Sequence, residues 1–463
     1  MTITKIIPLI IVIAAVLALA VWFKTEPSEV LEKRLPGRDK TTVTANDQVP
    51  LSEMRGTLAK SDGVPADIPG AWPRFRGENF DNIFHDEQVP LQKNWPESGP
   101  KVLWSLEVGE GYAGAAVRNG CVYILDYDRE NQADALRCLS LADGKEIWRY
   151  SYPVKVKRNH GMSRTVPAVT DKYVVSLGPK CHVTCLDAES GAFRWMIDLV
   201  RQFGTKVPLW YAGQCPLIDN GRAIIAPGGK ALMTAVDCAT GKIIWETENP
   251  HHGQMTHSSI MPLEFAGRRM FVYCASSFVV GVSAQDGQIL WESTDWKIRS
   301  ATVPSPLIIG EGKIFFCGGY NAGSMMMRLT EEKGRIIPQT LFRLGPEIFD
   351  SIQQTPILYG GYIYGVRSDE QLVCLDLEGK IVWTGGSDNK FGLGPYLIAN
   401  GLIYIMNDSG LLTLAGATPN GYQPLAQARV LTGPDSWGPM AMAWGRLILR
   451  DLTKMICLDV AEK

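Results

Sequence analysis

The stretch "DCATGKIIW" (residues 237–245) is a short turn followed by a strand that ends in Trp, and the chain repeats this pattern. The other copies are "SLADGKEIW" (140–148), "LDAESGAFRW" (186–195), "SAQDGQILW" (283–291) and "LDLEGKIVW" (375–383). In every copy a Gly stands four residues before the Trp, and Gly supplies the positive φ that a tight hairpin turn needs. The pattern therefore predicts a repeated hairpin whose outer strand carries a Trp.

A second motif recurs in step with the first: a short strand that begins at a Pro or small residue, a turn, and a β-rich strand. Its eight copies lie at 114–126, 166–178, 215–227, 261–275, 305–319, 355–366, 394–406 and 438–450. Their starting positions are 39 to 52 residues apart. A period in the forties with four short strands per unit is typical of a propeller blade. The sequence predicts an all-β, eight-bladed β-propeller over residues 99–463.

The ends of this region predict how the ring closes. The last unit stops after its third strand, whereas "GPKVLWSLEV" (99–108) looks like an outer strand and precedes the first unit. Pairing these two segments would complete the eighth blade and remove the open sheet edges. The repeated Trp then has a structural role, because a large ring can fill the wedge that widens between neighbouring blades. This role is predicted for Trp104, Trp148, Trp195, Trp245, Trp291 and Trp383.

The segment before the propeller begins with an apolar run. Residues 6–23 carry no charge and are long enough to cross a bilayer as a helix. We interpret residues 1–23 as a signal anchor or transmembrane helix; cleavage as a signal peptide is the open alternative. Residues 24–64 read as a polar linker. No Cys ends the run, which argues against lipoprotein processing, and the propeller is expected on the periplasmic or extracytoplasmic side.

The repeat "PAVTDKYVVSLGPKCHVTCLDAESGAFRW" (167–195) resembles the PQQ-like eight-bladed propeller repeat family, and the resemblance covers residues 99–463. That family includes quinoprotein alcohol dehydrogenases and BamB-like outer-membrane assembly proteins. The segment "AWPRFRGENFDNIF" (71–84) looks like one that precedes the propeller in uncharacterised members. We interpret residues 65–98 as a strap lying on the blades.

The resemblance implies two kinds of function, and the residues favour the one without chemistry. Quinoprotein dehydrogenases of this family typically place a vicinal Cys-Cys disulfide against PQQ and hold Ca²⁺ with carboxylate and amide groups. No Cys-Cys pair occurs in the chain, and "CHVTC" (181–185) lacks the spacing of a haem motif. We expect no cofactor; PQQ with Ca²⁺ is expected only if the chain is an alcohol or sugar dehydrogenase.

One acidic and one histidine-rich stretch contain residue types that bind metal ions. Asp126, Asp128, Glu130 and Asp134 alternate as in a Ca²⁺ loop, but Asn131 and Arg137 replace the Gly and Glu that such a loop requires. A solvated loop is the preferred interpretation. His251, His252 and His257 have no adjoining Cys or carboxylate, so an ordinary polar loop is preferred there as well.

The ten cysteines are interpreted mainly as core residues. Cys138, Cys185, Cys374 and Cys457 share one strand position in different blades, which suits a small apolar side chain. Cys274 and Cys317 share a register in neighbouring blades and are the one pair that we would test for a disulfide.

Propeller topology places candidate binding residues on one face. Connections from an outer strand to the next inner strand lie on the same face as the turns between second and third strands. This face should collect His160, Arg164, Trp210, His257, Arg299, Gln353, Gln354, Arg367, Trp437 and Asp451. Aromatic and Arg-rich surfaces suit protein or glycan recognition. The basic stretch "VKVKRNHGMSR" (154–164) could receive an anionic ligand or partner, with a solvated loop as the other interpretation.

These observations predict a membrane-tethered, monomeric binding module for an envelope protein, peptide or polymer. The net charge of −2 offers no basic field for nucleic acid. A PQQ-dependent dehydrogenase and a BamB-like assembly factor are the alternatives.

Overall fold

The computed structural model describes residues 15–17, 19 and 55–462. The chain divides into two compact units, Met1–Thr44 and Ala45–Lys463. Within the predicted helix over 1–23, the described residues 15–17 and 19 are helical. The other residues of that segment, and the predicted linker as far as residue 54, lie outside the described part of the chain. Within the described residues, no helix combines the length and apolarity needed to span a bilayer.

Between residues 55 and 115 the structure shows three strands before the first complete blade, and each joins a different blade. They are β1 (Thr57–Lys60), β2 (Ile83–Phe84) and β3 (Lys101–Glu107). The first extends the outer edge of blade 1, and the second adds a parallel strand beside the inner strand of blade 7. The third becomes the outer strand of blade 8.

Blades 1 to 4 are four-stranded antiparallel meanders that run outward from the channel. Blade 1 comprises β4 (Ala116–Arg118), β5 (Cys121–Asp128), β6 (Ala133–Ser140) and β7 (Glu146–Pro153). Blade 2 comprises β8 (Ala168–Val169), β9 (Tyr173–Leu177), β10 (His182–Asp187) and β11 (Phe193–Asp198). Blade 3 comprises β12 (Leu217–Asp219), β13 (Arg222–Ile225), β14 (Thr234–Asp237) and β15 (Ile243–Glu246). Blade 4 comprises β16 (Met261–Phe265), β17 (Arg268–Cys274), β18 (Val279–Ser283) and β19 (Ile289–Ser293).

Blades 5 to 8 repeat the meander and complete the ring. Blade 5 comprises β20 (Leu307–Gly310), β21 (Lys313–Gly318), β22 (Gly323–Glu332) and β23 (Arg335–Leu344). Blade 6 comprises β24 (Ile357–Tyr359), β25 (Tyr362–Val366), β26 (Leu372–Leu375) and β27 (Ile381–Thr384). Blade 7 comprises β28 (Tyr396–Ala399), β29 (Leu402–Met406), β30 (Leu411–Gly416) and β31 (Pro424–Arg429). Blade 8 comprises β32 (Ala441–Ala443), β33 (Arg446–Arg450) and β34 (Lys454–Asp459), to which β3 adds antiparallel. The all-β, eight-bladed propeller is confirmed.

One short helix, α1 (Leu199–Phe203), lies in the connection between blades 2 and 3. The side chain of Asp198 accepts hydrogen bonds from the backbone N–H groups of Val200 and Arg201, as an N-cap does. Gly204 ends the helix at φ 69°, a left-handed conformation that Gly adopts without strain.

The repeated Trp residues join successive blades through the turn Gly of the next blade. The indole of Trp195 lies against Gly241, where an added Cβ would come within 2.7 Å of the ring. Its Nε1 donates a hydrogen bond to the carbonyl of Cys238 at 2.9 Å. The same ring-on-Gly contact is made by Trp104 on Gly144, Trp148 on Gly191 and Trp245 on Gly287. Gly at this position is therefore required both for its positive φ and for the space that the indole occupies.

The contact changes around blade 5, whose outer hairpin is longer. Trp291 packs against Gly281 of its own blade, and its Nε1 donates to the sulfur of Met270 at 3.2 Å. On the other side of blade 5, Phe342 and Leu344 take the place of a Trp and contact Gly379. The last Trp again bonds to the next blade: Trp383 of blade 6 donates a hydrogen bond from Nε1 to the carbonyl of Thr418 in blade 7.

The strap closes one end of the central channel. Trp72 pairs with Val117 of β4 through two backbone hydrogen bonds of 2.9 and 2.8 Å. The chain then crosses the channel, contributes β2 to blade 7, and reaches blade 8, where Leu91 pairs with Ala461. Backbone contacts to Gly120 and Val460 place the strap on the face that carries the repeated Gly turns.

The acidic stretch in the β5–β6 hairpin differs from the solvated loop that we expected. Asp126 and Asp134 are buried. The carboxylate of Asp126 accepts a 2.8 Å hydrogen bond from Arg137, and that of Asp134 accepts a 2.6 Å bond from the Tyr152 hydroxyl. Only Asp128 and Glu130 face solvent, so the solvated interpretation is wrong for the two ends of the stretch. Tertiary packing buries both: Asp126 also accepts a hydrogen bond from the backbone N–H of Gly109 in the preceding connection, and Asp134 accepts one from Ser163 in the next.

All ten cysteines are buried and free, including Cys274 and Cys317. Burial raises the pKa of the Cys274 thiol to about 12. It raises the pKa of the Cys317 thiol as well. Both thiols are protonated at neutral pH and act as small apolar core groups.

Substituting the turn Gly tests the contact between blades. Gly241→Ala places a methyl group against the Trp195 ring, whereas Gly221→Ala, in the same blade and at a similar positive φ, meets no heavy atom within 4 Å. Both changes introduce the backbone strain of Ala at positive φ, and only the first also displaces the indole. We expect Gly241→Ala to lower the free energy of unfolding by about 1–3 kcal/mol more than Gly221→Ala, measured by denaturant titration. Equal losses would show that the ring-on-Gly contact is not needed.

Asp134 should make stability depend on pH. Burial raises the pKa of its carboxyl to about 7. The folded protein therefore holds a proton that the unfolded chain releases near pH 4, so this group's contribution falls as the pH rises towards 7 and is constant above it. Asn at position 134 does not titrate, so the free energy of unfolding of Asp134→Asn should not show this loss. The difference between the variant and the parent should therefore shift in the variant's favour by about 1 kcal/mol for each unit by which the pH rises from 5 to 7. Thermal or chemical unfolding at several pH values measures the difference.

Asp128→Asn is the matched control, because hydrogen bonds from Asn131 lower the pKa of Asp128 and it titrates below this range. Its difference from the parent chain should be constant over the same pH interval. Parallel profiles for Asp134→Asn and the parent would contradict the assignment.

Candidate functional site

A cavity of about 380 Å³ lies on the propeller axis and opens on the face opposite the repeated Gly turns. Every connection between neighbouring blades contributes to its wall, and the strap forms its floor through Phe75, Arg76 and Asn82. A volume of this size suits one small molecule or one or two residues of a peptide. The most concave part of the binding face is therefore its centre.

The structure brings seven of the ten candidate binding residues together in this cavity: His160, Arg164, Trp210, His257, Gln353, Gln354 and Trp437. The other three lie elsewhere on the face. Arg299 is exposed in the connection between blades 4 and 5. The guanidinium of Arg367 pairs with Asp369, and buried Asp451 accepts backbone hydrogen bonds from Gly433, Thr453 and Lys454.

Arg164 holds the connection between blades 1 and 2 in place. Its guanidinium donates hydrogen bonds to the carbonyls of Trp210, Asn159 and His160. It also lies over the Tyr112 ring, 5.0 Å from the centroid, as a cation–π contact requires. Burial lowers the pKa of Arg164 to about 10, so the side chain remains a cation at neutral pH. It brings positive charge to the cavity wall.

His257 lies beside Arg164 and is neutral at physiological pH. Burial, and then the charge of Arg164, lower its pKa to about 4. The imidazole lies 6.2 Å from the Trp210 ring, centroid to centroid. Its Nε2 makes no hydrogen bond to the residues that the structure describes. Of the three clustered histidines, only this one lines the cavity; His251 and His252 are exposed.

Next to Arg164, the wall is an aromatic pair held by carboxylates. The rings of Tyr112 and Trp437 are 5.2 Å apart. Trp437 donates from Nε1 to Asp408 at 2.7 Å, and the Tyr112 hydroxyl donates to Asp435 at 3.1 Å. Burial, followed by the charge of Asp435, raises the pKa of Tyr112, so its hydroxyl stays protonated. The two carboxylates lie behind the rings and do not line the cavity.

The two glutamines join the connection that precedes blade 6 to the connection that precedes blade 7. Gln353 donates to the carbonyl of Leu393 at 2.8 Å, and Gln354 donates to those of Gly392 and Gly394 at 3.0 and 3.1 Å. Their amide N–H groups are used within the protein. These hydrogen bonds fix the two side chains, which line the cavity as polar groups.

Arg76 supplies a second buried cation at the floor. Its guanidinium donates to the backbone carbonyls of Phe80, Asp81, Thr355 and Pro356 at 2.9 to 3.2 Å, so the strap is bonded directly to blade 6. Burial lowers its pKa to about 10. Among the residues that the structure describes, two arginines and no carboxylate line the cavity.

This arrangement supports binding more readily than catalysis. No Asp or Glu lines the cavity to act as a general acid or base partner for His257. Neither does the described chain contain a group of three His, Cys, Asp or Glu side chains placed to hold a metal ion. Ca²⁺ takes six to eight oxygen ligands, several of them carboxylates, and the cavity lining does not supply them. The residues do not fit a Ca²⁺-held quinone.

Sequence reasoning missed several residues of the wall, notably Tyr112, Tyr320 and Tyr396. Tyr112 and Tyr320 stand in connections of the same face, so the face argument could have included them. Nothing in the sequence indicated Arg76 and Asn82, because the strap reaches the channel only through the tertiary fold.

Comparison with known proteins places the chain among assembly-factor propellers. A family model described as outer membrane protein assembly factor BamB matches residues 132–385. The outer membrane protein assembly factor BamB of Moranella endobia (strain PCIT) is 23% identical over 310 residues, which are 63% of this chain and 74% of that protein. The BamB of Yersinia pestis is 23% identical over 211 residues, which are 42% of this chain and 51% of that protein. That match spans about half the length of the Yersinia pestis relative.

Solved structures share the fold at low sequence identity. BamB from Moraxella catarrhalis aligns with a TM-score of 0.55 at 12% identity, covering 78% of this chain and 99% of that one. A europium-containing methanol dehydrogenase aligns with a TM-score of 0.59 at 12% identity, covering 83% of this chain and 89% of that one. Assembly factors and quinone enzymes thus share one architecture, and the resemblance to the PQQ-like repeat family is confirmed. Because the family model covers more than half of the chain, this protein belongs to the family described as outer membrane protein assembly factor BamB.

Proposed function

We propose that this protein is a non-catalytic scaffold in the assembly of outer membrane proteins and binds a polypeptide partner on its cavity-bearing face. The observation that carries the proposal is the lining of the cavity: aromatic rings, fixed amides and two arginines, without a carboxylate or a metal-binding group among the described residues. Such surfaces recognise partners through large anchoring side chains. Membership of the assembly-factor family supports the class of partner.

The proposal includes the location of the chain and its mode of action. The propeller would lie outside the cytoplasm, tethered by the apolar segment over 1–23, and act as a monomer towards an envelope protein. Seven of the ten candidate residues are proposed to contact the partner at the cavity and Arg299 and Arg367 around it, while buried Asp451 is proposed to hold the backbone of this surface in place. Rigid blades hold the connections in place, so binding would need little rearrangement.

Site-specific photo-crosslinking in the native host tests this function. A photoreactive residue replaces His160, which is exposed and lines the cavity, or Lys145, which is exposed in a Gly turn on the opposite face. We expect His160 to crosslink to a component of the outer membrane protein assembly machinery, identified by mass spectrometry, and Lys145 to give no such product. Absence of assembly components from the His160 products, or equal yields at both positions, would contradict the proposal.

A quinone-dependent alcohol or sugar dehydrogenase is the second candidate, and the fold likeness to a methanol dehydrogenase favours it. Since the cavity lining does not fit Ca²⁺, we expect the chain to show neither the absorbance change of bound PQQ nor dye-linked oxidation of an alcohol panel at micromolar PQQ and millimolar Ca²⁺. Turnover that is lost in Trp437→Ala, which removes one cavity wall, would instead establish the enzyme. Trp437 is chosen because its ring lies at the mouth beside Tyr112.

A further inference from the structure

The charged residues of the cavity face are separated into two arcs. The first, here called the basic arc, consists of the connections 154–167, 178–181, 199–216 and 226–233 of blades 1 to 3. These four connections carry eight cations and no Asp or Glu. The cations are Lys155, Lys157, Arg158, Arg164, Lys180, Arg201, Lys206 and Lys230.

The second, here called the acidic arc, consists of the connections 345–356, 367–371, 385–395, 407–410, 430–440 and 451–453 of blades 5 to 8. It carries eight anions against two cations, Arg367 and Lys390. The anions are Glu347, Asp350, Asp369, Glu370, Asp388, Asp408, Asp435 and Asp451. Several of these, such as Asp408 and Asp451, also accept hydrogen bonds within the protein, but their charges contribute to the field above the face.

The two arcs face each other across the cavity. In a ring of eight blades, the connections of blade 2 and those of blade 6 are half a turn apart. The remaining connections of this face, including the β5–β6 turn of blade 1, carry both signs in nearly equal number: Glu110, Arg129, Glu130, Glu248, Asp295, Lys297 and Arg299. The aromatic cavity therefore lies between a positive and a negative half of the same surface.

Exposed charges in both arcs are available to a partner. Lys155, Lys157 and Lys206 are exposed and make no ion pair with any residue that the structure describes. Glu370 and Asp388 are likewise exposed, and the described part of the chain gives them no ion-pair partner. Charges that the fold does not neutralise internally retain their full attraction for a complementary ligand at low salt.

We propose that the cavity face binds a polypeptide segment of divided charge: an acidic block lying over the basic arc, a large aromatic side chain in the cavity, and a basic block over the acidic arc. The inference rests on the proposed partner-binding role of this face. Uniformly anionic ligands, such as nucleic acid or an anionic lipid surface, would be attracted by one arc and repelled by the other.

A second copy of the chain could also match the arcs, because two such faces related by a two-fold axis would oppose positive to negative. That arrangement leaves both cavities unfilled, since each copy presents a concave centre to the other. A polypeptide segment with a protruding aromatic side chain matches both the charges and the shape, so we assign the face to it.

Two peptides of identical composition test the proposal on the full chain. The block peptide is EEEEGWGKKKK-amide, and the alternating peptide is EKEKGWGEKEK-amide; each carries the same uncharged fluorophore on its N-terminal amine. Anisotropy titration at about 20 mM salt should show the block peptide binding at least about fivefold more tightly. The difference should vanish at about 0.5 M salt, where the screening length falls to a few ångströms. Replacing the central Trp by Ala should weaken the block peptide by about tenfold or more.

Charge reversal in one arc locates the binding surface. The double variant Lys155→Glu, Lys157→Glu should reduce the block-to-alternating ratio to less than about twofold. The matched control, Lys145→Glu, Lys172→Glu, makes the same change in net charge with exposed lysines of the opposite face and should preserve the ratio. All four lysines are exposed, so neither variant disturbs the core.

Three outcomes would overturn the proposal: equal affinity of the two peptides at low salt, equal effects of the two double variants, or a salt-sensitive dimer of the chain detected by analytical ultracentrifugation. The last would assign the face to a second copy. None of these outcomes alters the crosslinking result from His160. A chain that crosslinks to the assembly machinery but does not distinguish the peptides would retain the proposed function and lose this inference.

Discussion

The contact between an indole ring and a bare backbone Gly holds successive blades together. A propeller blade is a small twisted meander that cannot bury both of its faces alone, so its stability depends on its contacts with the neighbouring blades. Trp148, only 1% exposed, covers Gly191 of the next blade and donates its indole N–H to the carbonyl of Glu189. A side chain on that Gly would push the ring away, and a residue without positive φ would open the turn. The same position thus sets the hairpin and the distance between blades.

The strap converts a channel into a cavity that opens on one face only. A ring of inner strands encloses a channel that would be open at both ends, and the segment around Arg76 closes one of them. Its guanidinium is satisfied by four backbone carbonyls of the strap and blade 6, which offsets the cost of burying a cation. The closed floor gives the remaining opening depth and places positive charge beneath it. The depth of the cavity on the binding face is therefore set by the strap, a segment that is not part of the repeat.

The blades could be predicted in detail because their signals are local. The Gly-to-Trp spacing, the recurring strand pairs and the period in the forties each follow from the geometry of a hairpin. Candidate site residues were predicted less completely. The argument from topology placed His160, Arg164, Trp210, His257 and Trp437 on one face, and the structure gathers them around one cavity. It could not separate them from Arg299 or Arg367, because their distance from the axis depends on the path of each connection. Asp134 was wrongly interpreted as solvated for a similar reason: its partners, Tyr152 of β7 and Ser163 of the next connection, lie 18 and 29 residues further along the chain.

The sequence by itself determined the number of blades, the strand order within each and the face on which the connections lie, since periodic hairpins encode them locally. Only the tertiary structure decided where the strap runs, which side chains reach the axis, and that Arg76 lies under the cavity. In the sequence, the residues of the basic arc and those of the acidic arc lie in separate connections, the first before residue 234 and the second after residue 344. They become a single surface only when the ring closes and brings blade 2 opposite blade 6, because closure alone sets the distance between segments that are far apart along the chain.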